Sequence, residues 1–273
     1  MKPAPVGYTR PDTIADALAV LGDAGDAAML VAGGQSLVPM MSLRLTSFEK
    51  LVDISRLSDL RRNEETAEHV VLGAATTHAM IEDGCVPDPS RGLMPRVASK
   101  IAYRAVRNLG TIGGSVALAD PAADWPCCLI ALDADILLAG PRGERTEKAD
   151  GFFAGPYVTA REATEVIVGF RIRKLPATAR WGVSKVARKS GAFSDSLAVA
   201  VRLGNGTARI ALAGTSTHAG LLPRASAALA TGDAHAMRGA ALEDIAALDP
   251  DADAYRQRCH IATVTRAAAE ALT

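Results

Sequence analysis

The chain lacks an excess of either charge: its 273 residues carry 30 lysines and arginines against 30 aspartates and glutamates. A protein that grips nucleic acid or an anionic membrane surface keeps a basic surplus, so neither is expected as a main partner. Cysteine is scarce as well. Cys85, Cys127, Cys128 and Cys259 have no zinc-type or iron–sulfur-type spacing, and adjacent Cys127 and Cys128 are poorly placed to chelate one metal. No stretch reaches the ~20 apolar residues that span a bilayer. The opening MKPAPVGYTRPDT has no apolar segment of signal-peptide length. Reduced thiols in a cytoplasmic protein are therefore expected. What is present is length and aliphatic bulk: 49% of residues are hydrophobic, in a chain longer than one core usually serves, which predicts two domains.

Periodicity divides the chain. Asp12 is placed to N-cap a helix carrying Ile14, Ala17, Leu18 and Leu21. Residues 29–32 read as a short buried strand stopping at Gly33-Gly34, residues 51–54 as a second, and residues 70–72 as a third after a charged stretch. Pro95 suits the first turn of a helix ending before Gly110, which puts Arg96, Lys100, Arg104 and Arg107 on one face. Such a stripe fits a solvated surface, an acidic partner or a diphosphate. A helix over 121–132 and strands over 136–138 and 166–172 follow. Beyond Leu175-Pro176, strands are predicted over 181–187, 196–203 and 207–213, with Asn205-Gly206 as a two-residue hairpin turn. From Pro223 the chain is Ala-rich and helical. The expected organisation is an α/β domain, then a smaller domain of sheet and helices, divided near residue 177.

Two glycine-rich loops carry the chemistry. Ala32, Gly33, Gly34, Gln35, Ser36 and Leu37 directly follow a strand, and paired glycines with bare amides make an anion nest or simply a tight turn. The stretch Gly110, Thr111, Ile112, Gly113, Gly114 and Ser115 repeats that chemistry and leads into ADPAADWP. Asp120 reads as the N-cap of the following helix, whereas Asp124, a turn further in, is freer to meet a ligand. Neither loop is a Rossmann fingerprint or a P-loop. Two nests in one domain point to an extended diphosphate, and a dinucleotide is the natural ligand. His78 reads as a hydrogen-bonded structural residue, Cys127 and Cys128 as small buried hydrophobes, and Met40 and Met41 as core packing.

AGGQSLVPMMSLRL and NLGTIGGSVALADPAADWP resemble the two flavin-binding signatures of the FAD-carrying medium subunit of molybdenum hydroxylases, the group of carbon monoxide dehydrogenase and xanthine dehydrogenase. The resemblance continues through TTHAMIED, FFAGPYVTARE, EVIVGFRI and KVARKSGAF. It implies an α+β fold: an FAD-binding domain of the vanillyl-alcohol oxidase (PCMH-type) class over 1–176, with subdomains of about 1–55 and 56–176. A C-terminal domain over 177–273, a three-stranded antiparallel sheet with helices, would complete it. It further implies that Ala32 to Leu37 and Thr111 to Ser115 cradle the diphosphate and ribityl chain of a non-covalent FAD. Asp124, Ile167, Lys185 and Ile101 would flank the cofactor, Lys185 reaching it from the C-terminal domain. Lys185 alternatively reads as a solvated lysine on a strand.

No residue of this chain is expected to be catalytic. By the same resemblance, the molybdenum cofactor belongs to a large partner subunit and the [2Fe-2S] clusters to a small one, within a dimer of heterotrimers. FAD would be the exit for electrons. Two other functions compete: a free-standing FAD oxidase or reductase, and a non-catalytic flavin-binding assembly protein. The roughly 95 residues after Leu175 offer few acid or base groups for the first, and intact glycine loops argue against the second.

Overall fold

The computed structural model describes residues 2–273. It opens on a parallel three-stranded sheet in which Lys50–Asp53 runs between Gly7–Thr9 and Ala28–Val31. The helix Ile14–Ala24 contributes Ala17 and Leu21 to the small core that holds Val52, Leu57 and Leu60. Its cap is Thr13, not Asp12: the Thr13 hydroxyl accepts from the Asp16 amide at 3.1 Å and donates to the Asp16 carboxylate at 2.6 Å. The one hydroxyl thus caps the helix and holds the Asp16 carboxylate, which leaves Asp12 outside.

The second sheet is antiparallel throughout, in the order Glu64–Glu65, His69–Gly73, Val166–Arg173, Asp135–Gly140, Gly143–Lys148. Trp125, Leu129 and Ile130 of the helix Asp124–Ala131 share its core with Ile136, Leu138, Phe152 and Phe170. That helix begins at Asp124, so Asp120 is not its cap. Asp120 accepts from the Ala122 amide at 2.8 Å and shapes the turn ahead of it. The helix expected from Pro95 to Gly110 is two pieces, Leu93–Ala98 and Arg104–Arg107, broken where Ala102 takes a φ of 43°. The basic stripe is broken with it. Arg96 lies 3.2 Å from Glu270 and stacks over Trp181, while Arg104 and Arg107 turn to Asp83 and Glu82.

The third sheet has four strands where three were expected: Arg180–Val186, Ser196–Arg202, Ala208–Ala213 and the two-residue Gly220–Leu221. Its hairpin turn is longer than Asn-Gly alone. Arg202 pairs with Ala208, and Gly204 and Gly206 both take positive φ. Side chains alternate along Ser196–Arg202. Leu197, Val199 and Val201 join the core around Trp125, whereas Ala198 and Ala200 pack with Ala225, Leu229, Ile245, Val264 and Ala268 of the C-terminal helices. These helices are Pro223–Thr231, Ala234–Leu248 and Ala254–Leu272. The last lies against the sheet at Gly182, where a Cβ would come within 2.1 Å of the Ala267 carbonyl oxygen.

Candidate functional site

The first glycine loop leaves the strand Ala28–Val31 and enters the short helix Leu37–Ser42. Gly34 takes a φ of 67°, where glycine avoids the Cβ penalty. A Cβ on Gly33 would sit 1.9 Å from the Leu109 carbonyl oxygen, so the loop touches the backbone just ahead of the second loop. Gln35 does not point outward as a free donor: its amide donates to the Gly33 carbonyl at 2.9 Å. Among the described residues, the backbone amides of Gly33, Gly34, Gln35 and Ser36 have no acceptor. Buried or half-buried amides without partners are rare, so this run is a ready anion nest.

The second loop is built differently. Thr111 caps the helix Ile112–Leu118, accepting from the Gly114 amide at 3.1 Å. Ile112 donates to the Thr76 carbonyl at 3.0 Å and Gly113 to the Ala74 carbonyl at 2.9 Å, and Ser115 donates to the Thr111 carbonyl. The amides of Ile112 to Ser115 are therefore spent on the chain, contrary to the expectation of a second bare nest, and only that of Thr111 in this loop has no acceptor among the described residues. Gly113 is required by packing, since a Cβ there would lie 2.6 Å from the Ala74 carbonyl oxygen. The loop serves as a wall: Thr111 lines a cavity of about 750 Å³ with Ala32, Gly33, Arg56, Arg61 and Asn108.

A second cavity, about 320 Å³, opens where the strand Arg180–Val186 faces the helix Asp124–Ala131. The Lys185 ammonium donates to both Asp124 carboxylate oxygens, at 2.8 and 3.0 Å, with the side chains only 13% and 7% exposed. Burial pushes the Asp124 carboxyl up from its ordinary value, and the Lys185 ammonium opposes that rise. Lys100 and Lys189 line the same cavity and have no ion-pair partner among the described residues.

The remaining sequence candidates sit nearby or behind. Ile101 is partly buried against the main core, and Ile167 is buried at a bulge of the strand Val166–Arg173; neither lines either cavity. His78 supports the second loop. Its Nδ1 accepts from the Trp125 indole N–H at 2.9 Å, its backbone amide donates to the Gly110 carbonyl, and a Cβ on Gly110 would meet its Nε2 at 2.8 Å. Since indole nitrogen only donates, the Nδ1 is unprotonated, and burial lowers the ring's pKa to about 4. Cys127 and Cys128 are wholly buried, burial raises both thiols, and all four cysteines are unpaired. The sequence reading missed Arg56, Arg61 and Asn108, because no local spacing reveals that residues 55–61 and 108–111 meet.

Free amides on one glycine loop and a cavity of about 750 Å³ bounded by residues of both loops fit a dinucleotide-binding α+β protein. The family model described as FAD binding domain in molybdopterin dehydrogenase matches residues 4–205, and the chain belongs to that family. Over 216 residues it is 39% identical to the carbon monoxide dehydrogenase medium chain of Hydrogenophaga pseudoflava, covering 78% of this chain and 75% of the relative. It is 36% identical over 193 residues to the nicotine 6-hydroxylase medium subunit of Paenarthrobacter nicotinovorans, covering 71% and 67%. A solved structure of carbon monoxide dehydrogenase from Hydrogenophaga pseudoflava, lacking the Mo-pyranopterin moiety of its cofactor, matches with a TM-score of 0.93. Identity there is 36%, with 99% of this chain and 98% of that one covered. The chain is a medium-type FAD subunit of the molybdenum hydroxylases, an oxidoreductase component. No helix among the described residues is long and apolar enough to cross a membrane.

Proposed function

We propose that the chain is the electron-transfer flavoprotein of a heterotrimeric molybdenum hydroxylase. It takes electrons from [2Fe-2S] clusters in a small subunit and passes them to an external acceptor, while a large subunit holds the molybdenum cofactor. The observation that carries this reading is the larger cavity, lined by Ala32 and Gly33, where the run of unpaired amides from Gly33 to Ser36 begins, and by Thr111 of the second loop. That donor set fits a diphosphate and is open on the face the cavity offers. FAD, held without a covalent bond, would supply the capacity to accept electrons singly or in pairs.

In this reading Ala32, Gly33, Gly34, Gln35, Ser36 and Leu37, with Thr111, Ile112, Gly113, Gly114 and Ser115, cradle the diphosphate and ribityl chain, Thr111 being the member of the second stretch that lines the larger cavity. Asp124 and Lys185 orient the flavin end, with Ile101 and Ile167 as apolar support. Because the Lys185 ammonium is matched by Asp124, the two present a dipole rather than a free positive charge. The FAD-binding part is residues 1–176, in halves of about 1–55 and 56–176, with a C-terminal domain over 177–273. Two heterotrimers pair in the assembly, and the location is cytoplasmic, a reading supported by four unpaired cysteines.

The test is to purify the chain with its natural neighbours and record composition and visible spectrum. A yellow protein with one [2Fe-2S] subunit and one molybdenum subunit is expected. A yellow chain that oxidises a substrate alone overturns the reading in favour of a free-standing oxidase, and a colourless chain that refuses FAD overturns it in favour of an assembly protein.

A further inference from the structure

The segment between the strands Lys50–Asp53 and Glu64–Glu65 carries a basic pair that the glycine loops do not account for. Leu57 and Leu60 are 3% and 0% exposed and fasten the segment into the small core. Leu60 also accepts from the Ala75 amide at 2.7 Å, and Gly73 packs so tightly beneath it that a Cβ would meet the Leu60 carbonyl oxygen at 2.4 Å. The Ile54 amide donates to the Val31 carbonyl at 2.9 Å, tying the start of the segment to the strand that feeds the first glycine loop. On this fixed backbone Arg56 and Arg61 are exposed, line the larger cavity, and have no ion-pair partner among the described residues. Other arginines of this half of the chain are matched: Arg62 pairs with Glu64, and Arg104 and Arg107 pair with Glu82.

We infer that Arg56 and Arg61 are the cationic half of the diphosphate site, sharing a cavity with Gly33 at the start of the neutral amide run. The inference rests on the flavin reading above. A nest of four amides gives an anion hydrogen bonds but no compensating full charge, whereas a diphosphate brings two negative charges. Guanidinium groups supply both the charge and a forked donor geometry suited to phosphate oxygens. The cavity otherwise offers only neutral polar side chains, Ser55, Thr77, Asn108 and Thr111, for this purpose.

The experiment uses the full chain, stripped of cofactor and titrated with FAD, with ADP as a competitor that carries the diphosphate and no flavin. Arg56→Ala, Arg61→Ala and the double variant are compared with wild type, and thermal melts check folding; both side chains are exposed, so melting is expected to be unchanged. The double variant is expected to lose about tenfold or more in FAD affinity and in ADP competition, and to show a shallower loss of FAD affinity with added salt. Arg56→Lys with Arg61→Lys restores part of the loss, keeping charge without the fork. Wild type that binds FAD, with a double variant within about twofold for both ligands, overturns the inference alone. Wild type that takes up no FAD overturns the flavin reading and this inference with it.

Discussion

At the scale of single residues, the pairing of Asp124 with Lys185 changes what either can do. An ammonium beside a flavin stabilises negative charge only to the extent that nothing neutralises it first, and here a carboxylate lies 2.8 Å away. Removing the lysine therefore uncovers a buried negative charge rather than deleting a positive one. Leaving one member of a buried pair unmatched costs about 3–5 kcal/mol, while replacing both with neutral groups of similar size costs far less. Lys185→Ala is accordingly expected to lower stability by that amount in urea titrations, weaken FAD retention and lower the flavin potential. Asp124→Asn combined with Lys185→Met should recover most of the stability. Equal destabilisation by the single and double variants would show that the uncovered Asp124 carboxylate is not the source of the loss. An unchanged potential and cofactor content in Lys185→Ala would remove its role toward the flavin.

At the scale of elements, the C-terminal helix Ala254–Leu272 is held by two different devices. One is steric: Gly182 lets the helix backbone approach the strand Arg180–Val186 within Cβ distance of Ala267. Gly182→Ala is expected to push the helix outward and cost roughly 1–3 kcal/mol, the usual range for overpacking, read as a fall in melting temperature without loss of secondary structure by circular dichroism. A variant that melts with wild type would mean the helix rides freely at that point. The other device is polar: His260 on the helix meets Ser196 of the sheet at 2.8 Å through Nδ1 and Asp249 at 3.0 Å through Nε2. Elements with clean periodicity were legible in the sequence, among them the strands Val166–Arg173 and Ser196–Arg202 and the Ala-rich helices. Gly143–Lys148 was not, because its GERTEK pattern has no apolar face; pairing with Asp135–Gly140 makes it a strand. The break at Ala102 was not legible either. It sits where Gly191 packs against the Ala102 carbonyl, a long-range contact that spacing along the chain does not encode, and Arg107, five residues on, donates to the same carbonyl. The same holds for the site: the glycine loops and Asp124 stood out by type and order, whereas Arg56 and Arg61 gained meaning only once the segment was folded over the cleft.

At the scale of the molecule, a buried neutral histidine lies against each of its two largest cores, which couples the fold and the second glycine loop to pH. His78 sits beneath the second glycine loop, and its pKa is held near 4 by burial, with Arg107 adding to the effect. His260 sits between the third sheet and the last helix, where burial lowers its pKa against the pull of Asp249. A histidine whose folded pKa is depressed contributes stability that is present above its unfolded pKa of 6.5 and lost as pH falls toward the folded value. For His78 that contribution is roughly 3 kcal/mol in full, of which about 2 kcal/mol is gone by about pH 5. Protonation also breaks the bond from Trp125, because Nδ1 can then no longer accept. Stability is therefore expected to be flat above pH 6.5 and to fall steeply below it, with FAD leaving as the support under Gly110 loosens. Urea midpoints at about pH 7.5 and about pH 5, with flavin fluorescence recorded on the same samples, measure both effects. His78→Gln should flatten the slope and uncouple flavin release from acid, while His260→Gln flattens it without touching flavin release. If His78→Gln leaves the acid release of flavin as steep as wild type, the loop does not depend on that ring, and the fall in stability must come from carboxylates elsewhere in the chain.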